Sequence, residues 1–315
     1  MAIITKLRKK DFSDILKNYK IGQYINHIHI NWALTNTVYE LRTTKGKFIL
    51  KIFEKAKPDF IKFQVKLMRF LKKNSIPVPK LIKTNKGNNL LIYKNKNILV
   101  QEFIGGSIKE VYNKELLKDI AGKFGIMCKR LQNLKIPGKS QWKKDYQYIR
   151  QKGELVISGF NFKKESKKIF NNLKSVDRKK LRRGIVHGDF HGVNLIVSNN
   201  KLMGITDFDD SHKDYLAYEV AVFLIDAFIT KKGFKKNPAK LFFSNFQTFI
   251  KFNNEEKKAM YFFVKHRLLV IIAWTQNKMQ VHKDHKTRLS RSLIKMILKY
   301  QSFDKLTLKE FAELF

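Results

Sequence analysis

Alternating hydrophobic and polar residues predict a small antiparallel sheet in the first third of the chain. Residues 37–44 (TVYELRTT) and 47–53 (KFILKIF) alternate in this way and are rich in β-branched and aromatic side chains. Lys45-Gly46 lies between them, so the pattern predicts a β-hairpin. Two more strand-like segments, residues 89–93 (NLLIY) and 97–103 (NILVQEF), lie on either side of a second turn.

The spacing of hydrophobic residues predicts one main helix between these two hairpins, over residues 60–73. Its hydrophobic face is formed by Phe60, Phe63, Leu67, Phe70 and Leu71. We expect the helix to end before SIPVP (75–79), because proline restricts the backbone of the residue before it. Residues 11–20 predict a further short helix.

The pattern becomes mainly helical after Gly105-Gly106. Helices are predicted within residues 113–134, 140–183 and 214–298. Two short strand-like segments, VNLIV (193–197) and LMGIT (202–206), flank a turn at Asn199-Asn200. The chain therefore predicts an α+β fold with two lobes. The N-terminal lobe would comprise residues 1–103, and a larger, mostly helical C-terminal lobe would comprise residues 104–315.

The 315-residue chain is strongly basic, with 65 Lys and Arg against 26 Asp and Glu and a formal net charge of +39. This charge could indicate a polyanion partner. The basic residues are scattered as pairs such as Lys72-Lys73 and Lys163-Lys164, and no dense basic tract carries interleaved aromatic residues. The distribution therefore favours solvated surfaces, and we expect no specific nucleic-acid partner.

Cysteine content and the length of hydrophobic segments predict a cytoplasmic protein. The single cysteine, Cys128, cannot form a disulfide within the chain, which favours a reducing compartment. The N-terminal segment lacks the apolar stretch of a signal peptide. The longest apolar runs, residues 217–229 and 268–274, are interrupted or too short to span a bilayer. We expect no membrane association and either a monomer or a homodimer.

The segment HGDFHGVN (187–194) concentrates chemically versatile side chains within eight residues. A polar turn is one interpretation, and a histidine metal site is another, although no C-x-x-C or H-x-x-x-H spacing supports it. The downstream segment ITDFDD (205–210) favours a third interpretation. Asn194 and Asp207 are oxygen ligands suited to Mg²⁺, and Asp189 could orient a hydroxyl group and accept its proton.

These motifs together resemble the aminoglycoside phosphotransferase/choline kinase superfamily, which has a bilobal protein-kinase-like fold. Three less specific sequence segments are most similar to the bacterial homoserine kinases of that fold. They are the hairpin TNTVYELRTTKGKFILKIFE, the helix end LMRFLKKNSIPVPKLI, and LAYEVA (216–221) after the predicted metal aspartate. The similarity extends from about residue 30 to about residue 230.

The resemblance implies an ATP-dependent kinase with ATP and Mg²⁺ as cofactors and a hydroxyl group as acceptor. Asp189 would be the catalytic base, and Asn194 and Asp207 would hold Mg²⁺. Lys51, in a hydrophobic strand, would contact the ATP phosphates, to which lysine presents a compact charge. His187 would have a structural role within the loop.

The resemblance also implies a nucleotide site at the end of the last strand of the N-terminal lobe. Gln101 and Phe103 would lie beside the adenine. The loop NHIHINWALTNT (26–37), which leads into the first predicted strand, lacks glycine, so Asn36 and Thr37 are predicted to supply side-chain contacts to the nucleotide. Gln64 occupies the position where many relatives carry a glutamate that pairs with the strand lysine, so the partner of Lys51 is open, with Glu54 as one candidate.

The acceptor that the resemblance implies first is L-homoserine, phosphorylated to O-phosphohomoserine in threonine biosynthesis. Choline, ethanolamine or an aminoglycoside are alternatives, as is a non-catalytic, polyanion-binding protein with a kinase-like fold. Asp209, Asp210 and His191 are predicted to face the acceptor. The acidic cluster of Asp209, Asp210 and Asp214 could bind an amine or stabilise the start of the following helix, and both interpretations stay open.

Overall fold

The computed structural model describes residues 5–31, 33, 35–136, 157, 159–281 and 286–315. The chain forms two compact units. The first ends at Gly106 and also includes Met203–Thr206; the second contains Ser107–Lys135, the stretch that ends at Leu202, and Asp207–Phe315. The predicted lobe boundary after residue 103 lies near the end of the first unit. Much of the predicted helical segment 140–183 lies outside the described residues.

The first unit contains a five-stranded antiparallel sheet with the strand order β1-β2-β3-β5-β4. Its strands are β1 (Tyr24–His29), β2 (Thr37–Thr43), β3 (Gly46–Phe53), β4 (Leu90–Tyr93) and β5 (Lys96–Glu102). The two predicted hairpins are therefore present. Lys94 and Asn95 join β4 to β5 with φ angles of 47° and 59°, the left-handed pair whose twist suits a two-residue hairpin.

Two helices belong to the first unit, α1 (Lys9–Leu16) and α2 (Pro58–Lys73). Proline suits the first turn of α2, because the N–H that it lacks has no partner within a helix at that position. The core of this unit is formed by α1 and the sheet, with Phe12, Ile15, Leu41, Leu50 and Ile52 fully buried.

Strand β1 lies in a segment that the sequence pattern suggested was a loop. Its hydrophobic residues Ile25 and Ile28 are exposed, whereas His27 stacks on the buried ring of Phe12 at a centroid distance of 4.1 Å. This strand lies at the edge of the sheet. Because its histidine packs on the core and its isoleucines do not, hydrophobicity alone gives the wrong pattern.

The second unit is mostly helical in its described part. Its helices are α3 (Lys114–Leu131), α4 (Phe162–Lys174), α5 (Leu216–Ala227), α6 (Lys236–Phe246), α7 (Asn254–Val281), α8 (Lys286–Asp304) and α9 (Leu308–Ala312). Phenylalanines dominate their packing. Phe124 of α3 stacks on Phe190 at 3.8 Å and meets Phe246 of α6 edge-on at 5.4 Å, so the segment HGDFHGVN is anchored to the core through its own phenylalanine.

Short strands carry the polar motifs. β6 (Arg183–Val186) pairs antiparallel with β9 (His212–Tyr215), and neither strand was anticipated from the sequence. β7 (Leu195–Ser198) and β8 (Lys201–Ile205) are joined by a turn at Asn199-Asn200, close to the two predicted strands. The predicted helical segment 214–298 is interrupted by β10 (Ile229–Thr230) and β11 (Gly233–Phe234). The predicted α+β fold, with its small antiparallel sheet and larger helical part, is confirmed.

No helix in the described part of the chain combines the length and hydrophobicity needed to cross a membrane.

Candidate active site

Asp189 lies in the loop between β6 and β7, with donors on both carboxylate oxygens. Its Oδ2 accepts a hydrogen bond from the Asn194 side-chain amide at 3.0 Å and lies 3.1 Å from Nε2 of His191. Its Oδ1 accepts a hydrogen bond from an Nη of Arg267, on α7, at 3.2 Å. We call residues 187–194 the catalytic loop. The structure thus brings three of the predicted site residues together and adds Arg267.

Charged neighbours keep Asp189 ionised. Burial raises the pKa of Asp189, but the charge and hydrogen bond of His191, and the charge of Arg267, outweigh burial and hold this pKa well below its usual range. Burial lowers the pKa of His191, and the adjacent Asp189 raises it above its ordinary value. We therefore expect a carboxylate flanked by a guanidinium and by an imidazole whose protonated form the carboxylate stabilises.

The backbone of the catalytic loop is packed against the turn that follows β8. Gly188 has a φ of 82°, and a Cβ at this position would overlap the carbonyl oxygen of Asp210. His187 is fully buried, its ring lies 4.6 Å from that of Phe208, and its Nδ1 accepts the N–H of Asp189 at 3.3 Å. The histidine therefore shapes the loop from within.

Glu219 of α5 supports the same loop from the core. Its carboxylate accepts the backbone N–H groups of His187 at 2.8 Å and Gly188 at 2.9 Å. The residue is 1% exposed. Burial raises the pKa of Glu219 to about 7, although the two backbone hydrogen bonds oppose that change. The sequence offered one signal, an acid enclosed by the hydrophobic residues of LAYEVAVFL (216–224), and indicated only a local structural role.

Asn194 and Asp207 are the predicted metal ligands. The Asn194 amide nitrogen donates to the backbone carbonyl of Asp189 at 2.8 Å as well as to its carboxylate, which turns the amide oxygen away from Asp189. Asp207 is exposed, has a φ of 59° and precedes a 3-10 turn at Phe208–Asp210. The described residues contain no cluster of three or more His, Cys, Asp or Glu suited to a metal. One carboxylate and one amide oxygen fit Mg²⁺, which commonly takes few protein ligands together with substrate phosphates.

The three residues of the acidic cluster, Asp209, Asp210 and Asp214, lie in different surroundings. Asp209 is buried. Burial, together with the charge of Asp189, raises the pKa of Asp210 well above its ordinary value. Asp214 lies in β9, where it accepts the N–H of Tyr215 at 2.7 Å and lies 3.2 Å from His212. Asp210 is thus electrostatically coupled to Asp189, whereas Asp214 has local partners.

Lys51 lies on the central strand of the sheet in the first unit. β3 pairs with both β2 and β5, with Lys51 opposite Val38 and Leu99. The lysine is 8% exposed, and its ammonium lies 5.4 Å from the centroid of the Phe53 ring. A lysine in this position has its backbone fixed by strands on both sides.

Asn36 and Thr37 both contact Glu54. The Thr37 hydroxyl donates to the Glu54 carboxylate at 2.5 Å, and the backbone N–H of Glu54 donates to the Asn36 side chain at 3.1 Å. Lys96 forms an ion pair with Glu54 at 3.0 Å. Glu54, a candidate partner for Lys51, thus has Lys96 as one cationic partner.

Gln101 and Phe103 lie at and just beyond the end of β5. Gln101 is opposite Ile49 in the sheet, and the ring of Phe103 lies 5.1 Å from the ammonium of Lys47. Both residues belong to the first unit, as do Lys51, Asn36 and Thr37. The predicted nucleotide residues thus share one unit, and Asp189, Asn194 and Asp207 belong to the other.

The sheet with its buried central lysine, together with the Asp–Asn loop and the following aspartate, defines a phosphotransferase of the protein-kinase-like class. The sequence pattern of the phosphotransferase enzyme family matches residues 28–236, and the chain belongs to this family. It is a small-molecule kinase. The predicted resemblance and the predicted enzyme class are therefore confirmed.

Similar proteins share the fold and differ in their acceptors. The homoserine kinase of Bartonella henselae is 24% identical over 232 residues, which cover 71% of this chain and 72% of that protein. The structure of an amicoumacin kinase in complex with AMP-PNP, Ca²⁺ and Ami superposes with a TM-score of 0.76 at 16% identity, covering 98% of both chains. A microcompartment-associated aminopropanol kinase gives a TM-score of 0.70 at 13% identity, covering 96% of this chain and 98% of the other.

Proposed function

We propose that this enzyme transfers the γ-phosphate of ATP to the hydroxyl group of L-homoserine and forms O-phosphohomoserine. The observation that carries the proposal is the environment of Asp189, an ionised carboxylate whose two oxygens are fixed by Asn194, His191 and Arg267. Such a group can receive and orient an acceptor hydroxyl. The homoserine kinase of Bartonella henselae, similar over 71% of the chain, supports this choice of acceptor.

Phosphoryl transfer to an alcohol depends mainly on positioning and on charge stabilisation. In our proposal the acceptor oxygen attacks the γ-phosphorus, the bond to the β–γ bridging oxygen breaks, and ADP leaves. The hydroxyl proton passes to Asp189. Because the pKa of Asp189 is held low, this carboxylate is a weak base. Its main contribution is to orient the acceptor hydroxyl. It accepts the proton late in the reaction, when the hydroxyl has become acidic.

The remaining predicted residues receive roles that their settings support. Asn194 and Asp207 would hold Mg²⁺, which when bound neutralises charge on the ATP phosphates. Lys51 would bind the phosphates, with its backbone fixed in the central strand. Gln101 and Phe103 would contact the adenine. Asn36 and Thr37 would act near the nucleotide through Glu54, which both of them contact.

A panel of acceptors tests the proposed function. Purified enzyme with ATP and Mg²⁺ is supplied in turn with L-homoserine, choline, ethanolamine and an aminoglycoside, and ADP release is measured together with the mass of the product. We expect release with L-homoserine and a product heavier by one phosphate group. Clear turnover of another alcohol without turnover of L-homoserine would refute the homoserine assignment and leave the kinase activity intact.

The proposed activity belongs to amino-acid biosynthesis in the cytoplasm, as the step that phosphorylates homoserine on the route to threonine. It requires a small substrate and no nucleic acid. The high positive charge predicts weak, non-specific binding of polyanions at low salt. Titration with duplex DNA at rising salt measures this, and tight binding that survives at physiological salt would contradict the proposed role.

A further inference from the structure

Arg267 follows Lys265 and His266 in α7 and lies among buried hydrophobic residues. Leu268 and Leu269 follow it in the helix and are fully buried, and Val264 precedes it by one turn and is fully buried too. The Arg267 side chain is 11% exposed, and its guanidinium reaches Oδ1 of Asp189 at 3.2 Å. Because a buried charge is costly unless it has a partner of opposite charge, this arginine requires the anionic environment of the site.

The donors around Asp189 determine where an acceptor hydroxyl can bind. Oδ2 already receives the amide of Asn194 at 3.0 Å and lies 3.1 Å from His191. Oδ1 receives an N–H of Arg267 at 3.2 Å. Since each carboxylate oxygen offers two lone pairs, Oδ1 can accept a second donor. In the proposed function the acceptor hydroxyl would be that donor, on the same oxygen as the guanidinium.

A shared oxygen places the guanidinium close to the rest of the acceptor. Two donors on one oxygen, each at hydrogen-bond distance, are separated by about 4 to 5 Å. In homoserine, three carbons separate the hydroxyl oxygen from the carboxylate carbon, a distance of about 4 to 5 Å given ordinary bond lengths. A carboxylate at this distance suits the paired N–H donors of a guanidinium.

We propose that Arg267 binds a carboxylate of the acceptor and so restricts the enzyme to hydroxy acids, in preference to carboxylate-free amino alcohols. The proposal rests on the proposed function, in which Asp189 orients the acceptor hydroxyl. It also agrees with the imidazole of His191, whose Nε2 lies 3.1 Å from the other carboxylate oxygen of Asp189. Alcohols that carry only an ammonium group would be repelled by Arg267 and would lack its hydrogen bonds.

Three acceptors that differ by one group each test the proposal. L-Homoserine has both a carboxylate and an amine, 4-hydroxybutyrate lacks the amine, and 3-amino-1-propanol lacks the carboxylate. We expect Arg267→Met to lower kcat/KM for the two carboxylate acceptors about 10- to 100-fold, mainly by raising KM, because the variant loses charge-assisted hydrogen bonds. The loss of the Arg267 hydrogen bond to Asp189 should lower kcat for all three acceptors, but kcat/KM for 3-amino-1-propanol should fall less, so the wild-type preference for homoserine over it disappears.

The pattern of losses separates the possible roles of Arg267. An equal loss for all three acceptors would show that Arg267 only positions Asp189, and would overturn the proposal. Wild-type preference for 3-amino-1-propanol would overturn it as well. Wild-type turnover of 4-hydroxybutyrate without turnover of homoserine would support Arg267 as the carboxylate ligand while refuting the homoserine assignment. Wild-type turnover of no alcohol would refute the proposed function and, with it, this inference.

Two further variants serve as controls. Lys265→Met removes another buried cation from α7, one that pairs with Asp304 at 2.5 Å, and we expect it to leave the acceptor preference unchanged. Arg267→Lys keeps the charge and is used if Arg267→Met fails to fold. A lysine cannot bind a carboxylate through a fixed pair of N–H groups, so the preference for homoserine should fall several-fold. An unchanged preference in Arg267→Lys would count against the proposal.

Discussion

Glu219 accepts the backbone N–H of Gly188 at 2.9 Å, while its other oxygen accepts that of His187 at 2.8 Å. An acid in the hydrophobic core thus fixes the backbone just before Asp189. This contact links the packing of α5 to the position of the catalytic loop. It also makes the stability of the protein depend on pH, because the pKa of Glu219 is raised to about 7.

Glu219→Gln should change the pH dependence of unfolding. The folded protein binds the Glu219 proton more tightly than the unfolded chain, so the stability that this proton provides is complete below pH 4.5 and lost as pH rises through about 7. The wild-type free energy of unfolding, relative to that of Glu219→Gln, should therefore fall by about 3 kcal/mol between pH 4.5 and pH 8. Denaturant unfolding at several pH values measures this.

Glu255→Gln is the matched control for this experiment, since Glu255 also accepts a backbone N–H, that of Asp177 at 2.9 Å, but is not buried. We expect its stability to follow that of the wild type across the same pH range. A constant difference in stability between the wild type and Glu219→Gln would show that Glu219 has no raised pKa in the folded protein.

Gly188→Ala should destabilise the protein and lower its activity. The positive φ at Gly188 is unfavourable for alanine by about 1 to 2 kcal/mol, and the new Cβ would overlap the carbonyl oxygen of Asp210. Gly159→Ala provides the control, because Gly159 has a φ of 73° and a Cβ there would have no atom within 4 Å. Both substitutions place alanine at a positive φ, so the difference between their effects on thermal unfolding measures the steric overlap alone. We expect Gly188→Ala to lower the free energy of unfolding by about 1 to 3 kcal/mol more than Gly159→Ala. Equal stability of the two variants would contradict the close packing of the loop.

Asp189→Asn should abolish most phosphoryl transfer and leave ATP binding in place. Asparagine keeps the shape of the side chain but loses the charge that attracts the hydroxyl, so kcat should fall by about 10² to 10⁴. Steady-state ADP release measures kcat, and calorimetric titration with a non-hydrolysable ATP analogue measures nucleotide affinity. Asp177→Asn, which changes a surface helix cap, should retain wild-type kcat. Substantial activity in Asp189→Asn would remove Asp189 from the proposed mechanism.

Lys96→Met should lower the stability of the protein at neutral pH and make that stability less dependent on pH in the acid range. Burial raises the pKa of Glu54, but hydrogen bonds from Thr37 and Lys96 outweigh burial and lower it overall. This lowered pKa contributes stability above the unfolded value, and the contribution is lost as pH falls through the folded value. Without Lys96 the carboxylate stays buried and less well paired, so stability at pH 7 should fall by about 2 kcal/mol. Unfolding between pH 3 and pH 7 should show a shallower pH dependence than in the wild type.

Lys17→Met is the control for Lys96→Met, because it breaks the surface ion pair with Asp14 at 2.8 Å, and exposed pairs contribute about 0 to 1 kcal/mol. Equal losses of stability in the two variants would argue that the Lys96–Glu54 pair behaves as a surface contact.

Interactions between residues that are close in the sequence made much of the molecule predictable. The alternation in β2 and β3 and the helical spacing in α2 identify elements directly, since each pattern reflects which side chains one face can bury. The five-residue spacing between Asp189 and Asn194 likewise predicted a shared site, and the structure places the Asn194 amide 3.0 Å from the Asp189 carboxylate.

Patterns failed where packing partners come from distant parts of the chain. β1 is an edge strand whose His27 packs on Phe12 while its isoleucines are exposed, so its alternation is misleading. The pairing of β6 with β9 joins segments more than twenty residues apart, and each strand has only four residues, too few to show a period.

The sequence by itself determined the class of fold and predicted which side chains of the loop 187–194 lie together, because these depend on local periodicity and on side chains that lie within a few residues of one another. Only the tertiary structure decided that Arg267, 78 residues beyond Asp189, donates a hydrogen bond to its carboxylate. The same is true of Glu219, which accepts the backbone N–H groups of His187 and Gly188. A charged residue among the hydrophobic residues of a helix indicates that a partner is required. Its partner is fixed by how the helix packs, since burial makes an unpaired charge too costly to leave alone.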